Sequence, residues 1–217
     1  FIIEDTMAST PCLVSNPENL TATLPITVME EGQKQLVWII SDMSDPNLRG
    51  SESTGTVNDP DDVSAMAGYF LMSNEFDTRG IVISSTHRSQ HVAGTPDQKE
   101  WADEYFGGAY ADELANLNAN IGGYQDELTF YQSCIKETAE HFDKNKSYAD
   151  LTNYDTVQAL VDEVSSLKNG EILNVLCWGS LTEPAIFVKH CMETGKQELL
   201  DHVRFIAHWT NSSLKQG

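Results

Sequence analysis

The feature that most constrains this chain is the run Gln35-Leu-Val-Trp-Ile-Ile-Ser-Asp42. It is apolar on consecutive positions, not on alternate ones, and it closes on polar residues. An alternating strand keeps one wet face. A strand apolar throughout is covered on both faces, as in a parallel sheet between two helix layers. The next segments keep to the same plan. Asp59-Pro60-Asp61-Asp62 opens a helix, with Asn58 or Asp59 able to cap it and Pro60 suited to the first helical position. Val63, Met66, Ala67, Phe70 and Leu71 recur at helical spacing and predict one apolar stripe. Gly80-Ile-Val-Ile-Ser-Ser85 predicts a second buried strand, which completes a βαβ unit.

Around this unit the chain divides. Residues 1–34 read as an irregular leader, broken by Pro11, Pro17 and Pro25. Residues 35–217 read as one α/β domain: an open, mostly parallel sheet with helices on both faces. Its first loop, Met43 to Asn58, is long for a strand-to-helix connection. A short helix is expected at Gln98–Phe106, with Gly107-Gly108 and Gly122-Gly123 as breaks. Leu128, Tyr131, Ile135, Ala139 and Phe142 have helical spacing, and Thr156–Leu167 predicts another helix. Ile172–Trp178 predicts a third strand. Thr182 or Ser180 then caps a helix with Ala185, Val188 and Met192 inward, and Val203–Ala207 is a fourth strand. Because the sequence stops just after a strand, the expected fold is incomplete at its carboxyl end.

Charge narrows the partners. The chain has 13 Lys and Arg against 33 Asp and Glu, a formal net charge of −20. A nucleic-acid binder needs a basic face to displace counterions, and an anionic lipid surface repels such a chain. No apolar run reaches the roughly 20 residues of a membrane span. The four cysteines (Cys12, Cys134, Cys177, Cys191) form no CxxC pair, and buried free thiols are favoured over a disulfide. Asn-x-Ser/Thr sequons at Asn19, Asn145 and Asn211 suit an extracellular or secreted protein. No Gly-x-Gly-x-x-Gly comes after the first strand, and no phosphate-binding P-loop is present.

The chemistry gathers at the end of the first strand. Asp42 lies at its carboxyl end, and Asp59, Asp61 and Asp62 lie at the start of the helix. In open α/β sheets ligands bind in the crevice outside the carboxyl ends of the strands. Carboxylates there can share a hard cation such as Ca²⁺ or Mg²⁺. They can equally be a cap and first-turn partners of the helix dipole. Asp42 tilts the balance toward a site, since it ends an apolar strand.

These residues resemble the calcium-dependent nucleoside hydrolases, whose motif is a tight Asp-x-Asp-Pro-Gly-x-Asp-Asp. They are more similar to nucleoside hydrolase-like domains of bacterial cellulose-binding proteins. The phrase Leu71-Met-Ser-Asn-Glu-Phe-Asp-Thr-Arg-Gly-Ile-Val-Ile-Ser-Ser-Thr-His87 carries that likeness, as does Asn174-Val-Leu-Cys-Trp-Gly-Ser-Leu-Thr-Glu-Pro-Ala-Ile186. The resemblance spans roughly residues 35 to 210. It implies Asp42 as metal ligand and general base, Asp62 as metal ligand, and Asp61 as metal or sugar contact. It further implies the Trp178 backbone carbonyl as main-chain ligand, with Asp59 and His87 toward substrate. Two departures stand out. Eighteen residues separate Asp42 from Asp61, far more than in the tight motif. The family's last carboxylate, far downstream, has no counterpart in this chain.

The resemblance implies one of two functions. One is calcium-dependent hydrolysis of N-glycosidic or other glycosidic bonds, in which Asp42 accepts a proton from metal-bound water and His87 or His208 is a candidate acid. The other is a catalytically silent carbohydrate-binding or structural domain of a secreted assembly. Trp38, Trp101, Trp178 and Trp209 would supply its stacking faces, although core packing suits Trp38 better. Partners are then a sugar-containing small molecule or polysaccharide, with a homo-oligomer or larger assembly also compatible.

Overall fold

The computed structural model describes residues 12–15, 21–24, 32–47, 60–83, 97–135 and 142–208. Two compact units divide the chain, Phe1–Gln33 and Lys34–Gly217. In the first, β1 (Cys12–Ser15) pairs antiparallel with β2 (Thr21–Leu24), so this stretch holds a hairpin where the sequence suggested irregular chain.

The second unit is built on a parallel sheet of β3 (Gln35–Ser41), β4 (Phe76–Ile83), β5 (Phe130–Gln132), β6 (Leu173–Cys177) and β7 (Val203–Ala207). Their order is β5-β4-β3-β6-β7, and every pairing is parallel. The chain therefore winds outward from β3 to β5, returns, and winds outward on the other side through β6 and β7. The reversal falls between β3 and β6. The consecutive apolar residues of β3 explain its central place, because both of its faces are covered. Leu36, Trp38 and Ile40 join one core with Val157, Leu160 and Val161 of α4 (Asp155–Ser166) and Ile186 and Phe187 of α5 (Thr182–Thr194). Val37 and Ile39 join the other with Met66 and Phe70 of α1 (Pro60–Met72), Ala102 of α2 (Lys99–Ala102) and Tyr110 of α3 (Gly108–Asn120). Among the described residues no helix is long and apolar enough to cross a membrane.

The structure corrects four local expectations. In α1 the buried positions are Asp62, Met66, Tyr69 and Phe70, with Ser73 buried just beyond its end, whereas Ala67 and Leu71 face outward. Tyr69 is accommodated because its hydroxyl meets Thr78 Oγ1 at 2.7 Å. Gly107-Gly108 does not break a helix. A π-helical turn, Asp103–Gly107, joins α2 to α3, and both glycines hold right-handed helical angles. The segment after Leu128 is not helical as far as Ile135. Phe130, Tyr131 and Gln132 pair with Ile81, Val82 and Ile83, since aromatic side chains suit a strand and β4 offers an open edge. In α5 Ile186, Phe187, His190 and Cys191 are buried and Val188 packs against the core as expected, but Met192 is exposed.

Candidate functional site

The winding reverses at the carboxyl ends of β3 and β6, the place where folds of this kind form their ligand crevice. The two strand exits are tied together. Trp178 N–H donates to the Ile40 carbonyl at 2.9 Å, and Gly179 N–H reaches the same oxygen at 3.2 Å. Asp42 and Trp178 therefore leave the sheet side by side.

Helix geometry decides which α1 carboxylate joins Asp42. Asp62 shares its face with Met66, Tyr69 and Phe70, so it points at the sheet and is buried. Asp61, one position earlier, is rotated by about 100° and is exposed. Asp62 Oδ2 accepts from Ser41 Oγ at 2.6 Å and from the Asp42 N–H at 3.2 Å. Ser41 Oγ also accepts from the Met43 N–H at 3.1 Å. One carboxylate in the first turn of α1 thus organises the chain leaving β3. Hydrogen bonds and the helix N-terminus together offset the cost of burying its charge.

The rim is also built. Asp45 N–H donates to Gln98 Oε1 at 2.9 Å, and Gln132 Oε1 accepts from the N–H groups of Gln98 and Lys99. These bonds link the loop after β3, the start of α2 and the end of β5. Glu183, in the first turn of α5, is a buried carboxylate absent from the sequence candidates. It accepts from Ser133 Oγ at 3.2 Å, from Cys134 N–H at 3.3 Å and from Thr156 Oγ1. No local signal marks it, because its partners are remote in sequence and the spacing Ser180-Leu-Thr-Glu183 suggests only a helix capping box, which does not form. Burial, with Glu183's charge adding to it, pushes the Cys177 thiol up to about 12 and raises that of Cys134.

A calcium ion asks for six to eight oxygen ligands. The site offers the right kind of donor: Asp42 and Asp62 are buried carboxylates, and Ser44 Oγ is buried with no hydrogen-bond partner among the described residues. Among the described residues it falls short in number. Among the described residues no set of three or more His, Cys, Asp and Glu side chains converges to hold a metal ion.

The profile of a family described as "Cellulose-binding Sde182, nucleoside hydrolase-like domain" matches residues 53–211. The chain belongs to this family. The Sde182-type match takes in Asp61, Asp62, the α1–β4 unit and the Trp178–Glu183 turn, and it begins after Asp42. A solved structure, a nucleoside hydrolase-related hypothetical protein from Saccharophagus degradans associated with carbohydrate metabolism, superposes with a TM-score of 0.59 at 15% identity. The superposition covers 81% of this chain and 38% of that one, and it establishes a shared nucleoside hydrolase-like fold. Comparison with curated proteins gives no match.

Asp59, His87, Trp209, Asn19 and Asn211 lie outside the described residues. Asn145 is exposed in a turn. His208 is exposed, and its N–H pairs with the Cys177 carbonyl at 2.9 Å. Trp38 is core, while Trp101 and Trp178 are half-buried. Cys134, Cys177 and Cys191 are free thiols.

Proposed function

We propose that this nucleoside hydrolase-like chain is a carbohydrate-recognising domain that binds its ligand without turning it over. The observation that carries this reading is membership of a family described as cellulose-binding. The crevice supports it chemically. Buried carboxylates at Asp42 and Asp62 suit sugar hydroxyls as acceptors, and half-buried Trp178 offers an aromatic surface beside them. The same reading places the protein outside the cell, where polysaccharide is met. Its test is depletion of the chain from solution by microcrystalline cellulose. Retention released by soluble cello-oligosaccharide supports the proposal, and equal recovery with and without cellulose overturns it.

Calcium-dependent glycoside or nucleoside hydrolysis is the second reading, favoured by the buried Asp42–Asp62 pair. A bound calcium ion would activate water and stabilise charge. In that reading Asp42 and Asp62 hold the cation together with groups beyond them, and Asp42 is the proton acceptor at the end of β3. Calcium titration by calorimetry, wild type against Asp62→Asn, tests it. Binding abolished by the substitution, followed by base release from nucleosides, would favour hydrolysis over binding alone.

A further inference from the structure

We infer that a sugar-binding platform lies on the helical segment running from α2 through the π-helical turn into α3, apart from Asp42 and Asp62. Trp101 and Tyr105 have nearly parallel rings, with centroids 5.6 Å apart and planes 17° from coplanar. Phe106, 6% exposed, sits edge-on beneath both, with centroids at 5.8 Å from Trp101 and 4.9 Å from Tyr105. Edge-to-face packing of this kind fixes ring orientation. Tyr105 nevertheless remains 57% exposed, a large aromatic surface held in water. The two rings, with Gly108, border an open depression of ≈ 440 Å³, and Glu104 and Asp112 stand at its edge.

Each part has a use for a pyranose. The axial C–H groups of a sugar ring form an apolar face that stacks on an aromatic ring. The equatorial hydroxyls around it donate to carboxylates such as Glu104 and Asp112. The space over Gly108 is open, since a Cβ there would meet nothing within 4 Å. The π-helical turn inserts an extra residue between Trp101 and Gly108, and such turns recur at functional sites. Charge selects among sugars. A chain of net charge −20, with two carboxylates at the platform's edge, repels uronic-acid polymers and tolerates neutral ones. The ligand class is a neutral oligosaccharide of pyranose units. Gln98, one turn before Trp101, also holds the Asp45 backbone at the crevice rim, so the platform extends from that rim.

This inference rests on the carbohydrate-binding reading, and the experiment separates the two. Cellohexaose is titrated into the 217-residue chain by calorimetry, with wild type compared to Tyr105→Ala, Gly108→Leu and Asp62→Asn. Tyr105 is exposed, and Gly108 has helical angles and open space, so both variants are expected to fold; circular dichroism checks this. The expected result is a loss of affinity of about fivefold to tenfold in Tyr105→Ala and in Gly108→Leu. Asp62→Asn reports on the crevice: a loss there leaves the platform standing so long as the Tyr105 and Gly108 variants also lose affinity. Wild-type binding untouched by the Tyr105 and Gly108 variants but lost in Asp62→Asn overturns the platform and keeps the carbohydrate reading in the crevice. No binding by the wild type overturns both.

Discussion

Ser41 at the end of β3 donates its hydroxyl to Asp62 at the start of α1 across 2.6 Å, joining two groups 21 residues apart in sequence. Both are buried. Removing the carboxylate in Asp62→Ala deprives Ser41 Oγ and the Asp42 N–H of an acceptor, at a cost of about 1–3 kcal/mol. Asp62→Asn keeps an acceptor oxygen and is expected to recover most of that loss. Urea unfolding of the two variants checks this. Equal stability in both would mean that the carboxylate does not organise the strand end.

Trp38 and Gly80 face each other across β3 and β4, just beyond a register shift in that pairing. A Cβ on Gly80 would lie 2.5 Å from Cζ3 of Trp38, which is 1% exposed and stacked on Tyr131. The indole has no room to retreat. Gly80→Ala is therefore expected to cost about 1–3 kcal/mol through overpacking. Combining it with Trp38→Leu should cost less than the sum of the single changes. Additive losses in thermal or urea unfolding would show that the ring and the glycine do not share one space.

Alkaline pH should loosen the fold. Burial lifts Cys177 from 9.0 to about 12 and Tyr69 from 10.0 to about 12. The unfolded chain gives up these protons at the ordinary values, while the folded chain keeps them. Between about pH 9 and 12 the native state binds more protons, so stability falls as pH rises, by up to about 1.4 kcal/mol per pH unit for each group. Below pH 9 this contribution is fully present. The check is the urea midpoint at pH 7.5 and at pH 10.5, with Cys177→Ala expected to show the smaller drop. Identical drops in wild type and variant would contradict the assignment to Cys177.

The central strands were legible because a run apolar on both faces has few other places to go. Residues 35–41 and 173–177 form strands close to where their patterns put them, and 203–207 forms the edge strand beside them. Helix faces were read less well. Tyr69 is amphipathic, and only the tertiary partner Thr78 explains why it turns inward while Leu71 does not. β5 was missed because its three residues also fit a helical period, and the open edge of β4 decides between the two. At the site, the pairing of Asp62 with the backbone of Asp42 arises where strand end and helix start meet at the switch point. Glu183 was not foreseen, because its partners Ser133, Cys134 and Thr156 come from β5's exit and α4, far away in sequence.

The most direct test of binding without turnover is one magnetic resonance titration. Cellohexaose is added to isotope-labelled chain, with calcium present, while amide shifts and the sugar's anomeric proton signals are tracked together. The account predicts saturable amide shifts and an oligosaccharide that stays intact for days. No amide shifts, or steady appearance of new reducing ends, would contradict it.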